Sequence, residues 1–344
     1  MSHVNASEPS QTPARNWLKT LAKYREPSQA RSIVELLITG IPFLLLWVAA
    51  WWALSISYWL SLLICIPAAG FLVRLFLIQH DCGHGAFFAN RAANNWVGRI
   101  LGIVTFTPYE VWKKDHALHH ASSGNLDKRG FGDIKTLTVN EYMALSRFQK
   151  LLYRMYRHPL VLFGVGPAYV YLLRNRVPLG FMNSSKYWLS AMGTNLATAA
   201  IGGVIVYYVG LLPFLLILLP ITVMAASIGV WLFYVQHQFE DTVWAETEEW
   251  DLHDAALYGS THYDLPKILQ WFSANIGIHH VHHLYSKIPY YRLPQVLEDY
   301  PELASIKRMT LIESFSTVKL RLWDEGQKKL ISFQAAYALQ SQKI

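Results

Sequence analysis

Asn275-Ile-Gly-Ile-His279-His280-Val-His282-His283 decides the reading of this chain. Four of these nine residues are histidine. His279, His282 and His283 stand at i, i+3 and i+4. A helix therefore puts their imidazoles on one stripe and leaves His280 off it. Two similar groups lie upstream, His80-Asp-Cys-Gly-His84 and His116-Ala-Leu-His119-His120. One histidine pair at helical spacing is often incidental. Three groups in one chain point to a metal site, because neutral imidazole is the commonest protein metal ligand.

Composition indicates where such a site sits. Of 344 residues, 53% are apolar and 15% charged, against about 25% charged in an ordinary soluble domain. That deficit implies a membrane protein. The net charge of +7 could suggest nucleic acid. Its basic residues, however, flank apolar segments and form no long run, which suits a membrane surface. The two cysteines, Cys65 and Cys82, exclude a disulfide framework and a Cys-rich zinc or iron–sulfur site.

Two charge-free stretches carry the spans. From the charge-free stretch between Glu35 and Arg74 the chain offers apolar segments at 36–54 and 56–78, the second running on past Arg74; between Lys186 and Glu240 it offers 188–208 and 211–235. About 20 residues of helix cross an apolar layer of about 30 Å. Each short join implies a hairpin, with Gly210 and Pro213 in the second turn. Trp51, Trp52, Tyr58 and Trp59 suit an interfacial belt at the first tip, with Trp47 a turn deeper. Arg74 is expected to snorkel towards the aqueous side. Neither tip carries Lys or Arg, so the positive-inside rule puts both termini and the middle loop in the cytoplasm, below the cell membrane.

The polar segment 1–32 has no signal-peptide pattern. Pro9 and Pro13 suggest a loose start, followed by a short surface helix at 16–24. Segments 96–106 and 160–173 are too short or too interrupted to span and read as interfacial helices. The tail reads as part of a helical cap, with residues 311–334 helical. The expected fold is all-α and membrane-embedded: one domain over 1–344, with four spans in two hairpins and a cytoplasmic cap from 80–186 and 237–344.

This topology gathers every histidine group on one side. His237, leaving the fourth span in Gln236-His237-Gln238-Phe239-Glu240, adds a ninth imidazole. The candidate ligands are His80, His84, His116, His119, His120, His237, His279, His282 and His283. Eight or nine nitrogens exceed a four-coordinate zinc site and suit two ions with open positions, drawn from Fe, Zn, Cu or Ni. Asp81, Asp115, Glu240 and Asn275 are candidate partners that could accept an imidazole N–H and fix its tautomer. No catalytic residue is expected beyond the ligands. With no Glu-x-x-His anywhere, the carboxylate-bridged site of soluble di-iron bundles is not supported. His280 and Cys82 read as packing residues. His3, His158, His253 and His262 read as surface or hydrogen-bonding groups. Thr194 and Asn195 could line a substrate path or bond between helices.

At these residues the sequence resembles the integral-membrane fatty acid desaturases, in particular the bacterial and plant-type acyl-lipid branch. His80–His84, His116–His120 and His279–His283 look like its three histidine boxes. Gly124-Asn-Leu-Asp-Lys128, Gly132-Asp-Ile134, Tyr234-Val-Gln-His-Gln-Phe-Glu240 and Asn275-Ile-Gly-Ile-His279 are similar to its surrounding text, over roughly residues 35–300. The resemblance implies two non-haem irons that use O2 and two electrons to place a cis double bond in a long acyl chain of a membrane lipid. The chain has no Gly-x-Gly-x-x-Gly fingerprint, no cysteine cluster and no His-Pro-Gly-Gly haem signature. Electrons are therefore expected from a separate donor, ferredoxin or a similar small protein. Relatives on this scaffold also hydroxylate, ketolate or epoxidise. A metal carrier fits less well, because transporters place ligands within the spans and these spans lack histidine.

Overall fold

The structure is a computed structural model and describes residues 13–130 and 132–342. His3 and Pro9 lie outside the described residues. Four described helices are long and apolar enough to cross a membrane: Gln29–Ala53, Tyr58–His84, Ser185–Val209 and Leu211–His237. They form two antiparallel hairpins. At the first tip, the Ser57 hydroxyl accepts from the Trp59 amide, and the Ser61 hydroxyl donates to the Ala50 carbonyl at 2.9 Å. At the second, Gly210 takes φ +86°, a left-handed value that glycine adopts without strain. Pro42, Pro67 and Pro220 lie inside spans, as membrane helices tolerate.

The helices outrun the apolar segments read from the sequence. The first begins at Gln29, where Ser28 caps the Arg31 amide. The second runs past Ile78 to His84 and stops at Gly85, whose φ is +65°. The fourth continues to His237. These extensions matter because they carry histidines on rigid helix beyond the apolar region. Leu44, Leu63, Leu189 and Leu196 face outward, as do Trp59 at the first tip and Tyr207 and Tyr208 at the second. Trp47 instead turns inward and meets Phe214, with ring centroids 5.9 Å apart.

Arg74 does not snorkel. It is 2% exposed and pairs with Glu35, itself 1% exposed, at 2.5 Å. The hairpin sets these two residues opposite each other, so the charge finds a partner inside the protein more readily than water outside it.

The helix Arg91–Val104 exposes Trp96 and Ile100 on one face. Its other face packs on Tyr109, and a Cβ added at Gly98 would fall 2.2 Å from that ring. Segment 160–173 becomes a π turn, Val161–Val165, followed by the helix Gly166–Leu172. The segment at 16–24 folds as the helix Trp17–Leu21 between 3-10 turns. It is not a free surface helix, because Leu21 and Tyr24 are buried and Trp17 meets Tyr300 edge-on at 5.3 Å.

The cap is less helical than its sequence suggests. Residues 311–334 do not form one helix. A short helix Leu311–Ser314 and a 3-10 turn lead into strands Leu322–Asp324 and Lys329–Ile331, which pair antiparallel. An Asp-x-Gly turn makes this possible, with the Gly326 amide donating to Asp324 Oδ1 at 3.0 Å. Leu137–Thr138 joins this hairpin in parallel, and His262–Asp264 pairs in parallel with Arg308–Thr310. These small sheets tie chain segments far apart in sequence into one lid over the helix ends.

Replacing Gly98 by Ala is expected to overpack the Tyr109 contact and to cost about 1–3 kcal/mol. A fall in the melting temperature of the detergent-solubilised protein checks this.

Candidate metal centre

Each histidine is aimed by the element that carries it. His80 and His84 are one turn apart at the end of the second span. His116 and His120 are likewise one turn apart on the helix Tyr109–Ser122, with His119 beside them. His237 ends the fourth span. His279, His282 and His283 lie on the short buried helix His279–Leu284. All nine expected imidazoles converge, and they do so in two groups. His80, His84, His116, His120 and His282 form one, and His119, His237, His279 and His283 form the other. Within each, the candidate ligand atoms lie within 4.8 Å of one another.

The contacts between rings fit a shared cation better than hydrogen bonding. His116 Nε2 lies 3.0 Å from His84 Nε2 and 3.1 Å from His120 Nε2. His120 Nε2 is also 3.2 Å from His282 Nε2. His237 Nε2 lies 3.2 Å from His119 Nε2 and 2.9 Å from His279 Nε2. One ring nitrogen has either one in-plane hydrogen or one lone pair, so it cannot bridge two neighbours well. Nitrogens bound at about 2.0–2.1 Å to one ion stand about 3.0 Å apart at right angles and about 3.4 Å apart at the tetrahedral angle. The observed spacings of 2.9–3.2 Å fall in the range expected of donors that converge on one ion.

Protonation favours metal as well. Burial, reinforced by the neighbouring imidazoles, holds His116, His119, His120, His279, His282 and His283 well below the ordinary value of 6.5. Neutral imidazole is the ligating form.

The surrounding groups divide. Asp81 Oδ1 lies 3.3 Å from His80 Nδ1, and Oδ2 accepts from the Tyr290 amide at 2.7 Å. Asp115 makes no described bond to a histidine; it lines a crevice with Trp112, Tyr171 and Arg174. Glu240 turns away to Lys329 at 3.3 Å. Asn275 is not one helical turn before His279. It sits in a tight turn at φ +53°, and its Nδ2 donates to the Tyr290 carbonyl. The sequence reading missed Asp133, whose carboxylate lies 3.9 Å from His119 Nδ1. Burial pushes that carboxyl up to about 7. Only its place in the Gly132-Asp-Ile134 run hinted at a role.

The bystanders are accounted for. His280 Nε2 meets the Leu303 carbonyl at 2.9 Å, and His262 Nδ1 meets that of Ala304 at 2.6 Å. Cys82 is buried in the apolar core. Asn195 exchanges two hydrogen bonds of 2.8 Å with Arg176 and so serves helix–loop bonding.

Three cavities share lining residues in succession. One of about 370 Å³ lies between the spans and is lined by Phe43, Trp47, Leu72, Phe214 and Thr222. A gap of about 20 Å³ shares Leu72 and Thr222 with it and adds Phe76 and Tyr171. A crevice of about 100 Å³ shares Tyr171 and adds Trp112, Arg174 and Asn175. Trp112 stacks on His116, with centroids 4.7 Å apart and planes at 14°.

Four helices long and apolar enough to cross a membrane, with two all-histidine donor sets at their ends and on two cap helices, define a membrane protein that could hold metal. Residues 57–313 match the family model described as "Fatty acid desaturase". The chain is 45% identical to the fatty acid desaturase of Bacillus subtilis over 318 residues, which is 92% of this chain and 90% of that one. It is 31% identical to a Synechocystis protein named sn-1 acyl-lipid omega-3 desaturase (ferredoxin), over 65% of this chain and 62% of that one. It is 22% identical to the sn-1 oleoyl-lipid 12-desaturase of Arthrospira platensis, over 76% and 72% of the two chains. The chain belongs to the fatty acid desaturase family and is an oxidoreductase.

Folding stability is expected to fall with acid. Six imidazoles stay neutral when folded and take up protons below about 6.5 when unfolded, so protonation favours the unfolded chain. Asp133 and Asp115, both raised by burial, act in the opposite sense, but they are two groups against six. The metal-free protein should melt at progressively lower temperature as pH drops from about 6.5 to 5; an unchanged melting temperature would contradict the buried, neutral cluster.

Proposed function

We propose that this protein is an acyl-lipid desaturase of the cell membrane, a single domain with its termini and histidine groups on the cytoplasmic side. His80, His84, His116, His120 and His282 would hold one non-haem iron, and His119, His237, His279 and His283 the other. When bound, the iron pair supplies the O2 activation needed to break two unactivated C–H bonds. Overall, two hydrogens leave adjacent methylenes, O2 takes these with two protons and two electrons to give two waters, and one cis double bond remains. The electrons come from a separate donor, ferredoxin or a similar protein; the Synechocystis relative carries ferredoxin in its name.

The observation that carries this reading is the apolar cavity between the spans, linked through shared lining residues to a crevice at Trp112, which stacks on His116. An acyl chain is already dissolved in the bilayer and can enter between the spans without crossing water. Phe76 lies 5.4 Å from Trp112 and 6.2 Å from Tyr171, ring centroid to ring centroid. These three rings narrow the path, hold the chain against the histidine side and exclude water. Restricting the chain there converts a distant encounter into an oriented one. Asp81 at His80 holds ring orientation.

His119→Ala and His282→Ala are expected to abolish unsaturation and to lower bound iron while the protein still inserts. Fatty acid profile and iron content, measured on the same preparations, check this; an active mutant with full iron would refute the assignment. Oxygenated acyl products from the wild type would replace desaturation by hydroxylation. Thr222→Phe, which fills the junction between the two inner cavities, is expected to shift the preferred chain length downward. Competition between acyl chains of different length, read by mass spectrometry, is the measurement.

A further inference from the structure

The most heavily buried Arg–Glu pair among the described residues lies on the first hairpin, with Arg74 six residues before His80, and is not needed to ligate metal. Glu35 is on the first span and Arg74 on the second. Arg74 directs its whole guanidinium into the protein. Nη2 meets Glu35 Oε2 at 2.5 Å, Nε donates to Thr39 Oγ1 at 3.1 Å, and Nη1 donates to the Trp271 carbonyl. Its plane lies over the Trp271 ring at 4.0 Å. Glu35 also accepts from Arg31 Nε, on its own helix, at 2.8 Å and from the Tyr290 hydroxyl at 3.0 Å.

Tyr290 is the connecting piece, because its two ends do different things. Its phenol is fixed by the Glu35–Arg74 pair. Its backbone amide donates to Asp81 Oδ2 at 2.7 Å, and the other oxygen of Asp81 faces His80 Nδ1 at 3.3 Å. Tyr290, Asp81 and His80 are all at least 95% buried. Tyr290 also follows closely on the helix His279–Leu284, which supplies His282 to the same group. The chain of contacts thus joins both spans of the first hairpin to two walls of the five-histidine group.

We propose that the Glu35–Arg74 pair is a positioning device for the five-histidine centre, acting through Tyr290 and Asp81 on His80. A buried ion pair is weak evidence for stability, since well-packed apolar replacements are often neutral or better. Ionisable residues kept within membrane helices usually serve a site. A carboxylate that fixes a ligating imidazole typically changes metal affinity by about 10–100-fold when lost. The proposal rests on His80 being a metal ligand.

The test loads purified metal-free protein with Co2+ in competition with a chelator and follows the visible spectrum, bound metal per chain and melting temperature. Two variants are compared with wild type: Glu35→Leu/Arg74→Leu, which removes both charges, and Tyr290→Phe, which removes one hydroxyl and keeps the backbone amide. One binding step should weaken about 10–100-fold in the double variant and by less in Tyr290→Phe. The other step and the melting temperature should hold. Unchanged affinities in both variants would overturn the proposal. So would parallel weakening of both steps with a lower melting temperature in Tyr290→Phe. If the double variant does not fold, Tyr290→Phe decides alone. Failure of the metal reading looks different: wild type would then bind no Co2+ at the histidines, or His80→Ala would leave both steps unchanged.

Discussion

Nine imidazoles must be held largely out of water and pointed at one another, and the rest of the molecule is arranged to bear that cost. Rings brought this close repel one another if protonated, and buried nitrogens without partners are costly to leave unmet. His119, His237 and His279 each leave Nδ1, and His283 leaves Nε2, buried with no described hydrogen-bond partner. Only a rigid frame sustains such a density of unmet nitrogen. The spans supply it by continuing as unbroken helix beyond the apolar region, so that His80, His84 and His237 are held by the same rods that cross the membrane. The small sheets and the third-box helix close the group from the aqueous side.

The membrane explains why this frame and this chemistry occur together. Apolar side chains between the spans need no water, and the cavity they leave at Phe43, Trp47 and Phe214 is continuous with lipid in character. Polar demands concentrate at helix ends. Arg74 is a charged group away from these ends; it lies inside the protein with Glu35, and each of its three nitrogens finds an acceptor there.

Much of this was legible in the sequence because it is periodic. Helical spacing within the boxes, two charge-free stretches and the basic flanks gave the spans, the hairpins and all nine imidazoles. What stayed hidden depends on partners distant in sequence. Arg74 looked like a snorkelling residue because Glu35, 39 positions earlier, is joined to it only by the hairpin. Asn275 looked like a partner for an imidazole, but the backbone turns at Ala274 and Asn275 through left-handed values and its amide goes to the Tyr290 carbonyl. Asp133 approaches His119 through a loop whose course no local pattern records. Residues 311–334 look helical by composition; the Asp324 turn and pairing with Leu137–Thr138 draw part of them into a sheet.

The way neighbouring histidines are dealt out has a consequence of its own. His119 and His120 go to different groups, and so do His283 and His282. Successive residues on a helix are offset by about 100° and 1.5 Å, so two separate helices act as rulers between the centres. Their separation is written into backbone geometry on both sides and needs no bridging carboxylate to define it. Neither centre can drift from the other without unwinding a helix, and a twist of either helix is felt at both.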